Sequence, residues 1–96
     1  LTGWTANLPV RDEHGLIAVG DVVFEEERVV IEVDGWSSHG DRDSFERDRR
    51  RQTRLAAAGW VVIRVTWREL DEHPARFASD LRRALTRRRR SVPGQV

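Results

Sequence analysis

The sequence predicts one α/β domain, a mixed β-sheet flanked by helices, in the element order β-β-β-α-β-α. A chain of 96 residues, 39% of them hydrophobic, can build one core and no second one. Runs of β-branched residues separated by turn signals fill the first part of the chain, and a segment of helical periodicity precedes one further run. We expect a single domain over residues 1–96, with its core at about 7–90 and a tail over 91–96.

The first three strands are predicted to form a β-meander. Residues 7–10 read as a short extended segment, because Pro9 biases its predecessor away from helix. Residues 16–24 and 28–34 are rich in β-branched apolar side chains, and the three glutamates between them indicate a tight turn. Strand 28–34 is apolar on both faces until Glu32, so we expect it to be central and covered on both sides.

The second half of the chain alternates helix and strand. We expect a helix over residues 44–58, with an aspartate at its start and Gly59 at its end, and then a strand over 60–66. A strand, a crossover helix and another strand place 60–66 parallel to the central strand. Residues 67–73 are expected to be a connection, and Pro74 begins a last helix.

Composition excludes several classes of protein. The absence of cysteine rules out disulfides, thiolate metal sites and cysteine nucleophiles. Charged residues make up 34% of the chain and no apolar run approaches the roughly 20 residues of a spanning helix, so we expect no membrane partner. No signal peptide is visible, and we expect a cytoplasmic protein. Methionine is absent, the initiator included, which indicates a processed form or the C-terminal part of a longer protein.

All 17 basic residues are arginines, and they are distributed unevenly. Residues 1–38 carry two arginines and eight acids, a net charge of −6, whereas residues 39–96 carry fifteen arginines and eight acids, a net charge of +7. This division indicates either a site for cations beside a surface for anions, or two unrelated solvated faces.

Two acids, Asp21 and Glu32, are expected to face each other across neighbouring strands. A two-residue turn within the three glutamates places Val23 opposite Val30 and Asp21 opposite Glu32, with Cβ atoms about 5 Å apart. Asp34 adds a third acid on the strand face of Glu32. Acids this close need a cation, a shared proton or an arginine. Magnesium or manganese would suit these oxygen ligands, and the alternative is an ion pair with Arg64 or an arginine of the helix.

The helix brings a second group of charges. Four of its arginines fall on neighbouring positions, namely Arg47, Arg50, Arg51 and Arg54. Arginine stripes bind nucleic-acid phosphates through bidentate forks, but a solvated helix with local acid partners is a common alternative. Asp48 and Gln52 interrupt the inward-facing side of the helix, which is unusual where a helix only packs.

These residues and several between them form a known pattern. They are Asp21, Glu32-Val33-Asp34-Gly35, Trp36, His39, Phe45, Asp48, Arg51, Leu55, Gly59-Trp60, Arg64, Thr66-Trp67 and Leu70. Over residues 7–70 the chain resembles the PD-(D/E)XK nuclease superfamily. It more closely resembles uncharacterised bacterial endonuclease-like domains related to very-short-patch repair (Vsr) endonucleases. The resemblance implies a restriction-endonuclease-like sheet.

The resemblance also implies site residues. Asp21 matches the first metal-binding aspartate, Glu32 matches the acid of the (D/E)XK element, and the carbonyl of Val33 would be a further ligand of magnesium or manganese. Asp34 stands where the superfamily has its lysine, and this chain has no lysine. Vsr-like domains also lack that lysine and use a nearby histidine, for which His39 is the best candidate. A loop residue that caps the following helix is the alternative for His39.

The function implied is metal-dependent endonuclease activity on DNA, with RNA as a further possible substrate. Catalysis would use Asp21, Glu32, Asp34 and His39, with the helix arginines on the phosphate backbone. In many actinobacterial proteins such a domain follows an antitoxin-like winged-helix domain, so an upstream partner domain is expected. One alternative is a non-catalytic nucleic-acid-binding or regulatory domain on a decayed nuclease fold. Another is a structural protein whose acids are all paired internally.

Overall fold

The computed structural model describes residues 2–34 and 42–91, which build a four-stranded mixed sheet with helices on both faces. In chain order the elements are strands β1 (Thr5–Asp12), β2 (Gly15–Phe24) and β3 (Val29–Asp34), helix α1 (Arg42–Ala57), strand β4 (Val61–Thr66), and helices α2 (Trp67–Glu72) and α3 (Pro74–Ser91). The strand order is β1-β2-β3-β4, with β3 and β4 parallel and the other neighbours antiparallel. The predicted mixed sheet with a helix between its parallel strands is confirmed.

Strand β3 lies inside the sheet and is covered on both faces, as the sequence predicts. On one face, Val30 belongs to a cluster that includes Leu55 of α1. On the other face, Val29 belongs to a cluster that includes Leu81 and Leu85 of α3. Complete burial of a leucine or valine stabilises a fold by about 1.5–3 kcal/mol, so these contacts fix both helices to the sheet.

The turn between β2 and β3 sets the register of the two strands. The Arg28 amide donates a hydrogen bond to the Glu25 carbonyl at 3.3 Å, and Arg28 adopts a left-handed φ of 59°. Val23 pairs with Val30, which confirms the predicted register. Glu27 of this turn is buried, and Arg89 of α3 satisfies its carboxylate by donating a hydrogen bond at 2.8 Å.

Two predicted elements differ from the structure. Residues 67–73, expected to be a connection, contain helix α2, because Thr66 and Glu69 form a capping box. The Glu69 amide donates to the Thr66 hydroxyl at 3.0 Å, and the Thr66 amide donates to the Glu69 carboxylate at 3.3 Å. The extended segment at 7–10 is the middle of the longer strand β1, which pairs with β2 from Thr5 to Asp12.

No helix in the described ranges is long and apolar enough to cross a membrane.

Around Asp21, the side chains of strand β2 do not alternate regularly between the two faces of the sheet. A Cβ atom on Gly20 would lie 2.5 Å from Cγ2 of Val30 and 2.6 Å from Cγ2 of Val23, both in the cluster on the α1 face. Val22, two residues after Gly20, packs instead against the cluster on the α3 face. Because residues two apart in a regular strand share a face, the strand is irregular between Gly20 and Val22.

We predict that Gly20→Ala lowers the free energy of unfolding by about 1–3 kcal/mol, because the new methyl group must displace fully buried valines. Urea denaturation followed by circular dichroism measures this change. Val19→Ala is the matched control on the same strand, since Val19 is exposed. The control should cost less than about 1 kcal/mol. A Gly20→Ala protein as stable as the wild type would show that the strand can shift to admit a side chain.

Candidate active site

Near Asp21, the backbone pairing between β2 and β3 is followed by a hydrogen bond that the Asp21 side chain accepts. Backbone pairing between the two strands is described as far as Val22 opposite Ile31. Beyond it, Oδ2 of Asp21 accepts a hydrogen bond from the amide of Val33 at 2.8 Å. The irregularity at Gly20 therefore directs the Asp21 carboxylate to the segment of β3 that contains Glu32 and Asp34. This bond brings the Asp21 carboxylate to the β3 backbone between Glu32 and Asp34, and a joint role of the three acids stays a prediction.

Glu32 is a buried carboxylate held by an arginine of α1. Its side chain is 7% exposed, and its Oε2 accepts a hydrogen bond from Nη2 of Arg51 at 2.7 Å. Nε of Arg64 lies 4.0 Å from the same oxygen. The ion pair with an arginine of the helix, which is the alternative to a metal site, therefore accounts for one carboxylate oxygen of Glu32. The other oxygen, Oε1, is buried without a hydrogen-bond partner among the described residues.

Asp48 links two arginines into a network across three elements. It lies 2.9 Å from Nη2 of Arg51 through Oδ1 and 2.7 Å from Nη1 of Arg64 through Oδ2. Nη2 of Arg64 also lies 3.1 Å from Oδ1 of Asp34. The network thus joins β3, α1 and β4 at the end of the parallel strands. Its three carboxylates and two guanidinium groups leave a net charge of −1, which favours a further cation.

Asp48 and Arg64 shift each other's pKa in opposite directions. The hydrogen bond from Arg64 lowers the pKa of Asp48, and the bond from Arg51 adds to this effect against the opposing cost of burial. The same bond to Asp48 raises the pKa of Arg64, and the charge of Asp34 acts in the same direction. Both groups are therefore ionised at neutral pH, and Arg64 has no role as a base.

The oxygen atoms around Asp21 and Glu32 suit a hard cation. Magnesium commonly binds proteins through one or two carboxylates and keeps several waters. Within residues 2–34 and 42–91 there is no group of three or more His, Cys, Asp or Glu side chains that could hold a metal. Two carboxylates are nevertheless sufficient for such a site. A carboxylate oxygen that is buried without a partner, such as Oε1 of Glu32, is costly, and a bound cation would satisfy it.

The four arginines assigned to nucleic acid do not form one exposed stripe. Arg51 belongs to the network described above, whereas Arg47 is exposed and donates to the Ser44 hydroxyl at 3.3 Å. Arg50 is exposed as well. Arg54 points to the β1–β2 hairpin, where it donates to Asp12 at 2.7 Å and to the carbonyl of Leu16 at 3.2 Å. The structure therefore divides the stripe into two inward-facing and two outward-facing arginines.

The partner of Arg54 is not predictable from the sequence. Asp12 and Arg54 are 42 residues apart, so no local spacing signals the pair. The hydrogen bond from Arg54 lowers the pKa of Asp12, and the amide of His14 contributes a second bond to the same carboxylate. This bond fixes the β1–β2 hairpin to α1.

Some predicted residues lie outside the described ranges. His39, the candidate base, and Trp36 belong to residues 35–41, which the structure does not describe. Val33 lies in β3 beside Asp21, and the metal-binding role of its carbonyl stays a prediction. Phe45 is largely exposed on α1 and carries the guanidinium of Arg49 over its ring at 5.8 Å.

We predict that Asp48→Asn lowers the free energy of unfolding by about 1 kcal/mol at neutral pH. Because the folded protein lowers the pKa of Asp48, its ionised form stabilises the fold above the ordinary value of 3.8. This stabilisation is lost as the pH falls to the lower pKa that Asp48 has in the folded protein. We expect urea denaturation between about pH 7 and pH 2.5 to show a difference in the free energy of unfolding between variant and wild type. This difference should narrow once the pH falls below the ordinary pKa of Asp48.

The matched control is Asp71→Asn, at an exposed position of α2. Its free energy of unfolding should stay close to that of the wild type at every pH. A gap for Asp48→Asn that stays constant down to the lowest pH would contradict the assigned charge interaction.

The comparisons with known proteins agree with this fold. A family model described as REase_MTES_1575, a restriction endonuclease-like family, matches residues 7–85. No curated protein and no solved structure matches the chain. The family match spans β1 to α3 and includes Asp21, Glu32, Asp48 and Arg64. The chain therefore belongs to the REase_MTES_1575 family of restriction endonuclease-like domains.

Proposed function

We propose that this domain is a metal-dependent endonuclease that hydrolyses phosphodiester bonds in DNA, similar to the Vsr-related branch of the PD-(D/E)XK superfamily. Membership in a restriction endonuclease-like family indicates nuclease function. The observation that carries the finer proposal is the buried Oε1 of Glu32, which lacks a partner in the described part of the chain, in a region of net negative charge. A domain that needed Glu32 only for packing would gain stability by satisfying this oxygen.

Asp21, Glu32 and the carbonyl of Val33 are the residues that would hold magnesium or manganese. When bound, such a cation polarises the scissile phosphate and lowers the pKa of a coordinated water. The amide of Val33 keeps the Asp21 carboxylate beside β3 at 2.8 Å. Arg51 keeps the Glu32 side chain in one orientation, and both acids are therefore positioned before any ligand arrives.

Arg64 is our candidate for the positive charge that the missing lysine would supply. Asp34 occupies the motif position of that lysine, and Nη2 of Arg64 lies 3.1 Å from its carboxylate. The same guanidinium lies 4.0 Å from Glu32. A fixed guanidinium at this position can stabilise charge that develops on a phosphate. It cannot remove a proton from water, so this step falls to Asp34 or to His39.

Arg47 and Arg50 are the helix arginines best placed to contact the DNA backbone. Both are exposed on α1, the helix that holds Glu32 through Arg51. Each exposed guanidinium offers a fork to phosphate oxygens and releases counterions on binding. Arg54 would have to leave Asp12 to do the same, so we assign it to the fold rather than to DNA.

We predict that Asp21→Asn and Glu32→Gln each reduce DNA cleavage by on the order of 100-fold or more, because each removes a charged oxygen from the reacting centre. The assay follows cleavage of a labelled duplex oligonucleotide or a supercoiled plasmid with magnesium or manganese, and again with excess chelator. A parallel assay on RNA identifies the preferred substrate.

The matched controls are Asp71→Asn and Glu26→Gln, which make the same chemical changes at exposed positions of α2 and of the β2–β3 turn. Both should cleave like the wild type. Undiminished cleavage by the Asp21 and Glu32 variants, or by the wild type in chelator, would refute the metal-dependent mechanism.

A second candidate function is non-catalytic nucleic-acid binding. It is favoured by the arginines that form ion pairs with acids of the candidate site. Arg51 already partly neutralises Glu32, and Arg64 does the same for Asp34. Isothermal titration with manganese separates the two functions. The endonuclease proposal predicts binding by the wild type that is lost in Asp21→Asn and retained in Asp71→Asn. Absence of binding by the wild type, together with salt-dependent affinity for DNA, would establish the second function instead.

A further inference from the structure

Helix α3 has a net charge of +6, out of the net charge of +7 over residues 39–96. Its 18 residues include seven arginines and one acid, Asp80. Two of these arginines have structural roles. Arg88 donates to the carbonyl of Glu27 at 2.8 Å and to the carbonyl of Gly59 at 2.9 Å, and Arg89 holds the Glu27 carboxylate.

Four arginines of α3, including Arg83 and Arg90, line an open groove. Arg83 and Arg90 are exposed, and neither makes an ion pair or hydrogen bond with any residue in the described ranges. They are seven residues apart, so they lie on one side of the helix, two turns from each other. We call this surface the α3 groove, and its lining comprises Val61, Asp80, Arg83, Ala84, Arg87, Arg88 and Arg90.

The α3 groove is separate from the candidate active site. Leu81 and Leu85 attach α3 to one face of the sheet, whereas Leu55 attaches α1 to the other face. Along β4 the groove adjoins Val61, the first residue, whereas Thr66 at the other end pairs with Asp34. Five residues of strand separate these positions by roughly 16 Å.

We propose that the α3 groove binds the phosphate backbone of DNA outside the catalytic site. The choice of DNA rests on the proposed endonuclease function, whereas the polyanionic character of the ligand rests on the groove itself. Arginine forks match phosphate oxygens in geometry and charge. The helix rises roughly 10 Å between Arg83 and Arg90, which is the axial length of about three phosphates of one strand.

The chemistry of the groove favours nucleic acid over a lipid surface. Helices that bind membranes need a broad apolar face beside their basic residues. The apolar face of α3 is used by the core, where Leu81 and Leu85 are 5% and 1% exposed. Only Val61 and Ala84 contribute apolar lining to the groove, and both are half-buried. A row of guanidinium groups with only two small, half-buried apolar neighbours fits a phosphate backbone.

The test measures binding of the whole chain to a fluorescent duplex oligonucleotide, in chelator, at several salt concentrations. Arg83→Gln/Arg90→Gln should weaken binding at least about tenfold at low salt. It should also make the slope of log K against log salt less negative by about two, because each phosphate contact contributes about 0.9. Arg11→Gln/Arg68→Gln removes the same charge from exposed positions outside the groove and should leave the slope within about 0.5 of the wild type.

Further outcomes decide the proposal. Arg83→Lys/Arg90→Lys keeps both charges and should retain the wild-type slope, which separates a charge effect from misfolding. An unchanged slope and affinity in the glutamine variant would overturn the proposal. So would selective loss of binding to phosphatidylserine vesicles or to an acidic peptide with DNA binding intact. A chain that binds DNA through the groove but never cleaves it would support this inference and refute the catalytic proposal.

Discussion

Burial of the Glu32 carboxylate in the central strand is the constraint to which the surrounding structure responds. Strand β3 has helices on both faces, so a charge within it loses most of its hydration. An uncompensated buried charge costs several kcal/mol. Arg51 of α1 supplies the direct partner at 2.7 Å, and Arg64 of β4 lies behind it. The need to compensate Glu32 therefore specifies how α1 and β4 meet β3.

The same constraint explains why the basic residues here are arginines. Arg51 contacts both Glu32 and Asp48, and Arg64 contacts both Asp48 and Asp34. A planar guanidinium can donate to two carboxylates in fixed directions, whereas a lysine ammonium acts as a compact point charge. Replacement by lysine would keep the charge and lose the bridge. The absence of lysine is thus compatible with a site that has a cation beside Asp34.

The sequence predicts those features that depend on local pattern. The two-residue periodicity and the turn glutamates place Val23 opposite Val30, and strand–helix–strand order makes β4 parallel to β3. The start of helix α2 also has a local signal, because Thr66 and Glu69 have the spacing of a capping box. The irregularity at Gly20 could not be predicted from the sequence, because it arises from contact with Val30 of another strand. For the same reason the pair of Arg54 and Asp12 could not be predicted from spacing.

The division of charge along the chain corresponds to two different kinds of surface. Arg51 and Arg54 of α1 and Arg64 of β4 form ion pairs with acids of the strands, and the network at the candidate site keeps a net negative charge. The excess positive charge lies on α3, across the sheet and roughly 16 Å away along β4. At physiological salt the Debye length is about 8 Å, so the α3 groove exerts little repulsion on a cation near Glu32. Under the proposed function, this separation lets one small domain attract a polyanion without weakening its hold on a metal ion.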